Sequence, residues 1–277
     1  MLRALHNNLP DRKPELWRSL PSALAKQLRL RIAPPAGEVR CSIFGGLRMQ
    51  VDPRDPIGRA IYLYGCYDYP LTHLIQTLIK PGMVFFDVGA NIGFVSLVAA
   101  TKCERVFAFE PLPSNLKHVR RNLELNHLRN VTVVDRAVGN REGTATLYVP
   151  ESQNTGLASL NEMAGTQTIE IPVITLDGFV RDRQLSRVDL IKIDIEGAEV
   201  MAFEGGRELL SRSDAPDVIF EAHPGSEAAK WLAASGYRIY EFLLQREWEA
   251  RNLFATKRDL SGSVAKQMRR TKRADDR

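Results

Sequence analysis

The sequence predicts an α/β fold, a doubly wound and mostly parallel sheet with right-handed crossovers. Between residues 84 and 243, short apolar runs alternate with segments of helical periodicity, as in strands joined by crossover helices. The predicted strands are 84–88, 105–109, 131–135, 188–193, 217–222 and 237–243, and the predicted helices are 92–101, 114–126, 199–210 and 226–235. The polar motifs follow strand ends, where such sheets bind their ligands.

An insertion separates the third and fourth predicted strands. Residues 144–149 and 168–175 alternate apolar and polar side chains, which predicts an antiparallel pair. The polar segment between them, 152–162, is a candidate lid or acceptor contact because it carries Asn154, Ser159 and Asn161.

Composition and charge divide the chain into four predicted segments. They are a basic helical extension at 1–36, a hairpin with a turn and helix at 37–80, the ligand-binding sheet domain at 81–256, and a basic, disordered tail at 257–277. The first and last segments each carry a net charge of +5, from seven basic and two acidic residues and from eight and three. Since the whole chain is +5, the body between them is −5.

This distribution bounds the partners and the compartment. The basic charge lies in the chain ends and not in the predicted sheet, so nucleic acid is an unfavoured partner. No apolar run reaches the length of a transmembrane helix, and the three cysteines form no CxxC pair. We therefore expect a cytoplasmic protein without membrane insertion; its oligomeric state cannot be predicted from the sequence.

The first strand of the sheet leads into a glycine turn that predicts a cofactor site. Asp87 precedes Gly89, Asn91 and Gly93, which form a GxxxG spacing and not the GxGxxG of dinucleotide sites. A carboxylate at Asp87 would repel a pyrophosphate but suit the ammonium and sulfonium groups of S-adenosylmethionine. The turn therefore favours S-adenosylmethionine over NAD.

The next two strands end in further candidate cofactor contacts. Glu110 follows the second strand and is placed to accept hydrogen bonds from two ribose hydroxyls. Asp135 follows the third strand and is a candidate acceptor for an adenine amino group, while Ala137 leaves room for the ring. Asp135 is equally well interpreted as a loop acid that caps nearby amides.

Seven ordered stretches make the sequence resemble the FkbM family of S-adenosylmethionine-dependent methyltransferases. They are IGRAIYLYGCYD (57–68), PGMVFFDVGANIGF (81–94), FEPLPSN (109–115), AVGNREGTATLYV (137–149), ITLDGF (174–179), VDLIKIDIEGAEVMAFEGG (188–206) and PDVIFEAHP (216–224). The resemblance implies a Rossmann-like class I methyltransferase sheet in a three-layer α/β/α arrangement, with seven strands and an antiparallel last strand. It also assigns Pro111, Asn115 and Tyr67 to the cofactor site, although the Tyr67-Asp68 pair is usually Tyr-Glu in this family.

The activity that the resemblance implies is methyl transfer to a hydroxyl of a sugar, polyketide, lipid or other secondary metabolite. Such a hydroxyl needs a base to take its proton as the new bond forms. Asp194 or His223 is our candidate base, Lys192 would stabilise the developing alkoxide, and Glu196, with Glu221, would orient the acceptor or the base.

Other interpretations of these residues stay open. Lys192 and Asp194 form a structural ion pair in one of them, and His223 is a turn residue before Pro224. Asp194, Glu196 and Glu221 are also a possible Mg²⁺ ligand set, but nothing in their spacing requires a metal, and we predict none. Alternative functions are methylation of nitrogen or nucleic acid, NAD-dependent oxidoreduction, and cofactor binding without catalysis.

Overall fold

The computed structural model describes residues 24, 26–27, 30–31, 35–150, 166–243, 252–260 and 262–271. The chain divides into two compact units, Met1–Tyr67 and Asp68–Arg277. The predicted helical extension therefore lies mostly outside the described residues, and the predicted lid at 152–162 lies outside them completely. The four-segment division of the chain stays a prediction.

In the first unit, a β-hairpin pairs β1 (Val39–Ser42) with β2 (Arg48–Val51) in antiparallel register. It is followed by helix α1 (Pro56–Tyr64), which Asp55 caps by accepting a hydrogen bond from the backbone N–H of Gly58. The second unit begins with α2 (Tyr69–Leu78), where Asp68 accepts from the N–H of Leu71. Residues 57–80 thus contain two helices where we predicted a turn and one helix, because Gly65 ends the first in a left-handed conformation and Asp68 caps the second.

The second unit contains the remaining elements. In chain order they are β3 (Val84–Val88), α3 (Phe94–Ala100), β4 (Arg105–Phe109), α4 (Pro113–Leu125), β5 (Val131–Val134), β6 (Ala137–Val138), β7 (Gly143–Pro150), β8 (Thr166–Ile174), α5 (Leu176–Asp182), β9 (Leu190–Ile193), α6 (Glu199–Glu204), α7 (Arg207–Ser211), β10 (Asp217–Glu221), α8 (Glu227–Ala234), β11 (Arg238–Phe242), β12 (Asn252–Thr256), α9 (Gly262–Ala265) and β13 (Met268–Arg270).

Eight of these strands form the large sheet, in the order β13-β11-β12-β10-β9-β3-β4-β5. The five strands from β10 to β5 are parallel to one another, and β12 is antiparallel to both β10 and β11. The chain leaves β3 toward β4 on one side and reaches β9 on the other, so the strand order reverses at β3. This arrangement confirms the predicted doubly wound sheet with an antiparallel last strand.

The eighth strand, β13, comes from the tail for which composition predicts disorder. It pairs antiparallel with β11, and Arg269 forms an ion pair of 2.6 Å with Glu241 on that strand. Since β11 would otherwise be an open edge, its unpaired backbone groups give the tail a place to pair. The prediction of disorder does not describe residues 262–270.

Helices cover both faces of the large sheet. One face packs the rings of Phe86, Phe107 and Phe109 against Phe179 of α5, with further apolar contacts from α6, α7 and α8. On the other face, Ser96 of α3 lies against Asp87 of β3, in a buried hydrogen bond of 2.6 Å. The fold is therefore the predicted three-layer α/β/α arrangement. No described helix is both long and apolar enough to span a membrane.

A second, three-stranded sheet has the order β6-β8-β7. Its β7–β8 pair is the antiparallel pair predicted at 144–149 and 168–175, while β6 pairs parallel with β8. Leu147, Ile171 and Val173 of this sheet pack on Ala137 and Leu112 in a small core. The small sheet thus lies beside the residues that follow β4 and β5.

Candidate active site

A cavity open to solvent, with about 570 Å³ of empty space when the solvent at its mouth is included, lies at the carboxyl ends of the parallel strands in the second unit. Its wall comes from the ends of β3, β4 and β9, from β6 and the turn before it, and from β7. The lining residues are Val88, Gly89, Asn91, Phe109, Glu110, Pro111, Asn115, Arg136, Ala137, Val138, Leu147, Asp194, Ile195 and Glu196. The cavity therefore lies at the reversal of strand order, where doubly wound sheets bind their ligands.

Gly89 forms the tight point of the turn after β3. Its φ is +77°, and the N–H groups of Gly89 and Ala90 both donate to the carbonyl of Phe109 at 3.0 Å. A Cβ at this position would overlap the carbonyl oxygen of Asp194. Only glycine therefore allows the turn to lie this close to the end of β9.

Glu110 is the best-held carboxylate on the cavity wall. Its Oε2 accepts from the Asn91 N–H at 2.8 Å, and its Oε1 accepts from the Leu112 N–H at 2.9 Å and the Asn115 amide at 3.3 Å. Burial raises the pKa of Glu110 to about 7, even though these hydrogen bonds favour its ionised form. Glu110 is thus fixed in orientation but keeps acceptor capacity on Oε2.

Two buried amide oxygens on the same wall have no hydrogen-bond donor among the described residues. They are the Oδ1 atoms of Asn91 and Asn115, and both residues line the cavity. A buried acceptor without a donor is costly, so a bound molecule that brings hydroxyl or ammonium donors would gain from pairing with them. With Glu110 beside them, these oxygens fit the ribose and amino groups of S-adenosylmethionine.

Lys192 lies beneath the glycine turn, with only 4% of its surface exposed. Its ammonium group is 3.5 Å from Asp87 Oδ1 and 3.5 Å from Asp194 Oδ2, and it donates to the Gly89 carbonyl at 2.7 Å. Burial alone would lower the pKa of Lys192, but the two carboxylates together raise it above its ordinary value. The predicted partner of Lys192, Asp194, is therefore in place, and Asp87 is a second one.

Asp87 is completely buried and does not line the cavity. Burial raises its pKa, against the opposing effects of Lys192 and of the Ser96 hydroxyl that donates to its Oδ2 at 2.6 Å. Both of its oxygens thus face protein groups. Its assignment as a direct cofactor contact stays a prediction, and the contacts place it below the turn that the cofactor would touch.

The turn after β9 carries two acids with different surroundings. Glu196 lines the cavity in a left-handed conformation (φ 52°), and burial with the nearby charges of Asp194 and Glu199 raises its pKa to about 7. Glu199, the first residue of α6, accepts from the N–H groups of Ile195 and Gly197 at 3.3 and 3.2 Å. Glu199 therefore holds the turn, and Glu196 faces the space where an acceptor would bind.

Three further residues from the sequence-based site do not line this cavity, and Tyr67 belongs to the first unit. Gly93 precedes α3 and packs against Val119 of α4. Asp135 is exposed and 3.9 Å from the Arg120 guanidinium, and His223 Nδ1 accepts from the Gly225 N–H at 3.2 Å. Their roles at the site stay predictions, whereas the structure brings Pro111, Asn115 and Ala137 together with Glu110.

Several lining residues were missed by the sequence analysis. Arg136 lies between Asp135 and Ala137, which the sequence analysis assigned to the adenine contact, but Arg136 itself was not considered. Leu147 and Val138 had no local signal, because they reach the cavity only through the folding of the small sheet. In the part of the chain that the structure describes, no three His, Cys, Asp or Glu side chains are grouped to hold a metal ion.

Comparison with known proteins identifies the family. The sequence model of the Methyltransferase FkbM domain matches residues 87–249. "Methyltransferase 1" of Beauveria bassiana is 28% identical over 175 residues, covering 54% of this chain and 66% of the relative. "31-O-demethyl-FK506 methyltransferase FkbM" of Streptomyces tacrolimicus is 29% identical over 180 residues, covering 53% and 66%.

The match thus spans just under two thirds of the length of these two relatives. Among solved structures, a methyltransferase FkbM from Methylobacillus flagellatus is similar with a TM-score of 0.44 and 20% identity, over 73% of this chain and 53% of that one. The family match covers more than half of the chain. The chain therefore belongs to the FkbM methyltransferase family.

Proposed function

We propose that this member of the FkbM methyltransferase family binds S-adenosylmethionine in the cavity and methylates a hydroxyl oxygen of a small molecule. The observation that carries the proposal is the set of acceptors on the wall: the Glu110 carboxylate and the two donor-less oxygens of Asn91 and Asn115. With Asp194 and Glu196 the wall holds three carboxyl groups and one cation, Arg136, which suits a ligand with cationic groups.

The residues would hold the cofactor as follows. Glu110 would accept hydrogen bonds from the ribose hydroxyls, and Pro111 and Ala137 would flank the adenine base. Asn91 and Asn115 would accept hydrogen bonds from the cofactor's ribose and amino groups. When bound, S-adenosylmethionine supplies an electrophilic methyl group on a sulfonium. The protein's own task is then to align the acceptor oxygen with that methyl group and to remove the oxygen's proton.

Asp194 is the base that we favour for this proton transfer. It lines the cavity, is about a quarter exposed, and follows the strand next to the glycine turn. His223 lies outside the cavity wall, so it is the weaker of the two candidates raised by the sequence. A positioned base typically contributes about 10²–10⁴-fold to the rate.

Oxygen as the methylated atom is supported by one relative and by the chemistry of the site. The relative from Streptomyces tacrolimicus is named for a substrate that lacks a methyl group on an oxygen. A carboxylate base beside the cavity suits an acceptor that must lose a proton, which a neutral hydroxyl does. The acceptor class that we propose is accordingly a small molecule with a free hydroxyl, such as a sugar, polyketide or lipid.

Calorimetric titration of the purified protein with S-adenosylmethionine, S-adenosylhomocysteine and NAD tests the cofactor. We expect the two sulfur ligands to bind and NAD not to bind. Transfer of a labelled methyl group to a panel of hydroxyl compounds, with amines and RNA as comparison acceptors, then tests the reaction. A folded protein that binds NAD but neither sulfur ligand would refute the proposal.

Cofactor affinity should depend on pH through Glu110. The ionised carboxylate accepts from ribose hydroxyls better than the protonated one, and its pKa is about 7 in the free protein. We therefore expect the Kd for S-adenosylhomocysteine to rise as the pH falls below about 7, and Glu110→Gln to weaken binding at about pH 8 by about 1.5–3 kcal/mol. The ligand's amino group titrates with both wild type and Glu110→Gln, so the ratio of the variant's Kd to the wild-type Kd isolates the contribution of Glu110. An unchanged ratio between about pH 6 and 8 would contradict this assignment.

Asp135→Ala provides a contrasting prediction for the adenine contact. Because Asp135 is exposed and off the cavity wall, we expect less than about a threefold change in the same Kd, which is under 1 kcal/mol. Calorimetry at one pH on the Asp135 and Glu110 variants measures both effects. A tenfold loss for Asp135→Ala would restore the sequence-based role of this residue.

A further inference from the structure

The charged side chains beside the cavity lie in two consecutive rows on one face of the large sheet. In the first row, Lys192 of β9 lies between Asp87 of β3 and Ile219 of β10. One pleat further along the strands, on the same face, Asp194 follows β9 and Glu221 ends β10. The second row therefore brings two carboxyl groups side by side at the edge where the cavity lies.

The ammonium group of Lys192 is surrounded by acceptors of the protein itself. It donates to the Gly89 carbonyl at 2.7 Å and the Val88 carbonyl at 3.4 Å, and it lies 3.5 Å from a carboxylate oxygen of both Asp87 and Asp194. Its side chain is also only 5% exposed and does not line the cavity. Its ammonium group thus faces Asp87 and Asp194, so its charge acts on Asp194.

The register of β9 and β10 places the carboxyl groups of Asp194 and Glu221 side by side, within reach of a shared hydrogen bond. Two ionised carboxylates have no donor between them, so a hydrogen bond across this pair requires one proton. Lys192 forms its ion pair with Asp194. An ammonium neighbour stabilises a carboxylate, so the proton of the pair belongs on Glu221.

The remaining acid near Glu221 also favours its protonated form. Glu196 adds a further negative charge from the turn after β9. Asn252, opposite Glu221 on β12, is uncharged, and its amide nitrogen donates to Asp68 at 2.8 Å. Burial first, and then the charge and hydrogen bond of Asp194, raise the pKa of Glu221 to about 9, with Lys192 opposing them.

We propose that Glu221 is a positioning residue. It keeps its proton, donates a hydrogen bond to Asp194 and, with Lys192, holds Asp194 as an oriented, ionised base. This role rests on the proposed function, in which Asp194 would take the hydroxyl proton of the acceptor as the new C–O bond forms and the methyl–sulfur bond of the cofactor breaks. The Glu221 proton stays between the two carboxyl groups throughout, and Asp194, which is about a quarter exposed, would release the acceptor's proton to solvent after the transfer.

Carbon NMR of protein labelled at the glutamate side-chain carboxyl carbons tests the proton's place without cofactor or acceptor. We expect one resonance, absent in Glu221→Gln, to keep the shift of a protonated carboxyl at about pH 7 and to titrate near pH 9. Asp194→Asn removes the negative neighbour and can donate to Glu221, so this resonance should then titrate at least one unit lower. The matched control Glu227→Gln, at an exposed position on α8, should leave it unchanged.

A Glu221 resonance that titrates near the ordinary glutamate value of about 4.3 would overturn the proposal. So would a titration that Asp194→Asn does not move. Cofactor binding is measured separately by calorimetry, so either result can be told apart from failure of the proposed function. With an acceptor in hand, Glu221→Ala should lose more rate than Glu221→Gln, since glutamine restores a donor; the reverse order would also overturn the proposal.

Discussion

Gly89→Ala is expected to abolish cofactor binding and to lower the free energy of unfolding by about 3–4 kcal/mol. Alanine in a left-handed conformation costs roughly 1–2 kcal/mol by itself. The remainder comes from overlap with the Asp194 carbonyl, a backbone atom that moves only if the end of β9 moves. Urea unfolding and calorimetric titration with S-adenosylhomocysteine measure the two effects.

Gly236→Ala is the matched control for this prediction. Gly236 has a similar φ of +87°, but its added Cβ would meet only the flexible end of Lys257, at 3.9 Å. We therefore expect this variant to lose only the conformational cost and to keep its cofactor affinity. Equal losses in the two variants would mean that the close approach to β9 contributes nothing, contrary to our account of the turn.

The five parallel strands of the large sheet could be predicted because each is short, apolar and bounded by a turn. Every residue of β3 is buried, so its composition reports burial on both faces of the sheet. Asp87 and Lys192 interrupt these apolar runs, and such residues are tolerated inside a sheet only when paired. Alternation along β9 was therefore enough to predict that Asp194 is a partner of Lys192.

The second partner of Lys192 could not be predicted in the same way. Asp87 reaches it only because β3 and β9 are neighbours in a register that pairs these two residues. A local pattern contains no information on register between strands so distant in the chain. The pairing of β13 with β11 is similar, since the short, basic segment Met268–Arg270 has no strand pattern of its own.

The cavity wall was predictable where it follows a strand of the large sheet and not where the small sheet supplies it. Glu110 could be identified from its place after β4, but Leu147 reaches the wall from the middle of β7. A charged residue at a strand end does not always line the cavity, and Asp135 and Asp87 are two examples with different causes. One is exposed to solvent, and the other is buried beneath the turn.

Lys192→Met is expected to lower the free energy of unfolding by about 3–5 kcal/mol, the usual cost of removing one partner of a buried ion pair. Asp87 would remain completely buried with only Ser96 as a hydrogen-bond donor. Its pKa, already raised by burial, would rise further without Lys192, so the folded variant binds a proton that the unfolded chain has released. The stability lost relative to wild type should therefore grow as the pH rises from the raised pKa of Asp87 in wild type to its still higher pKa in the variant. Urea unfolding at several pH values measures this dependence.

The double variant Asp87→Asn/Lys192→Met separates charge from packing. Asparagine can still accept from Ser96 but carries no charge, so we expect the double variant to recover most of the stability lost at about pH 8. Lys230→Met is the control for loss of a lysine at an exposed ion pair and should change stability by less than about 1 kcal/mol. If the double variant is no more stable than Lys192→Met alone, the loss comes from packing around the lysine stem. In that case Lys192 would stabilise the turn by filling space and not by its charge.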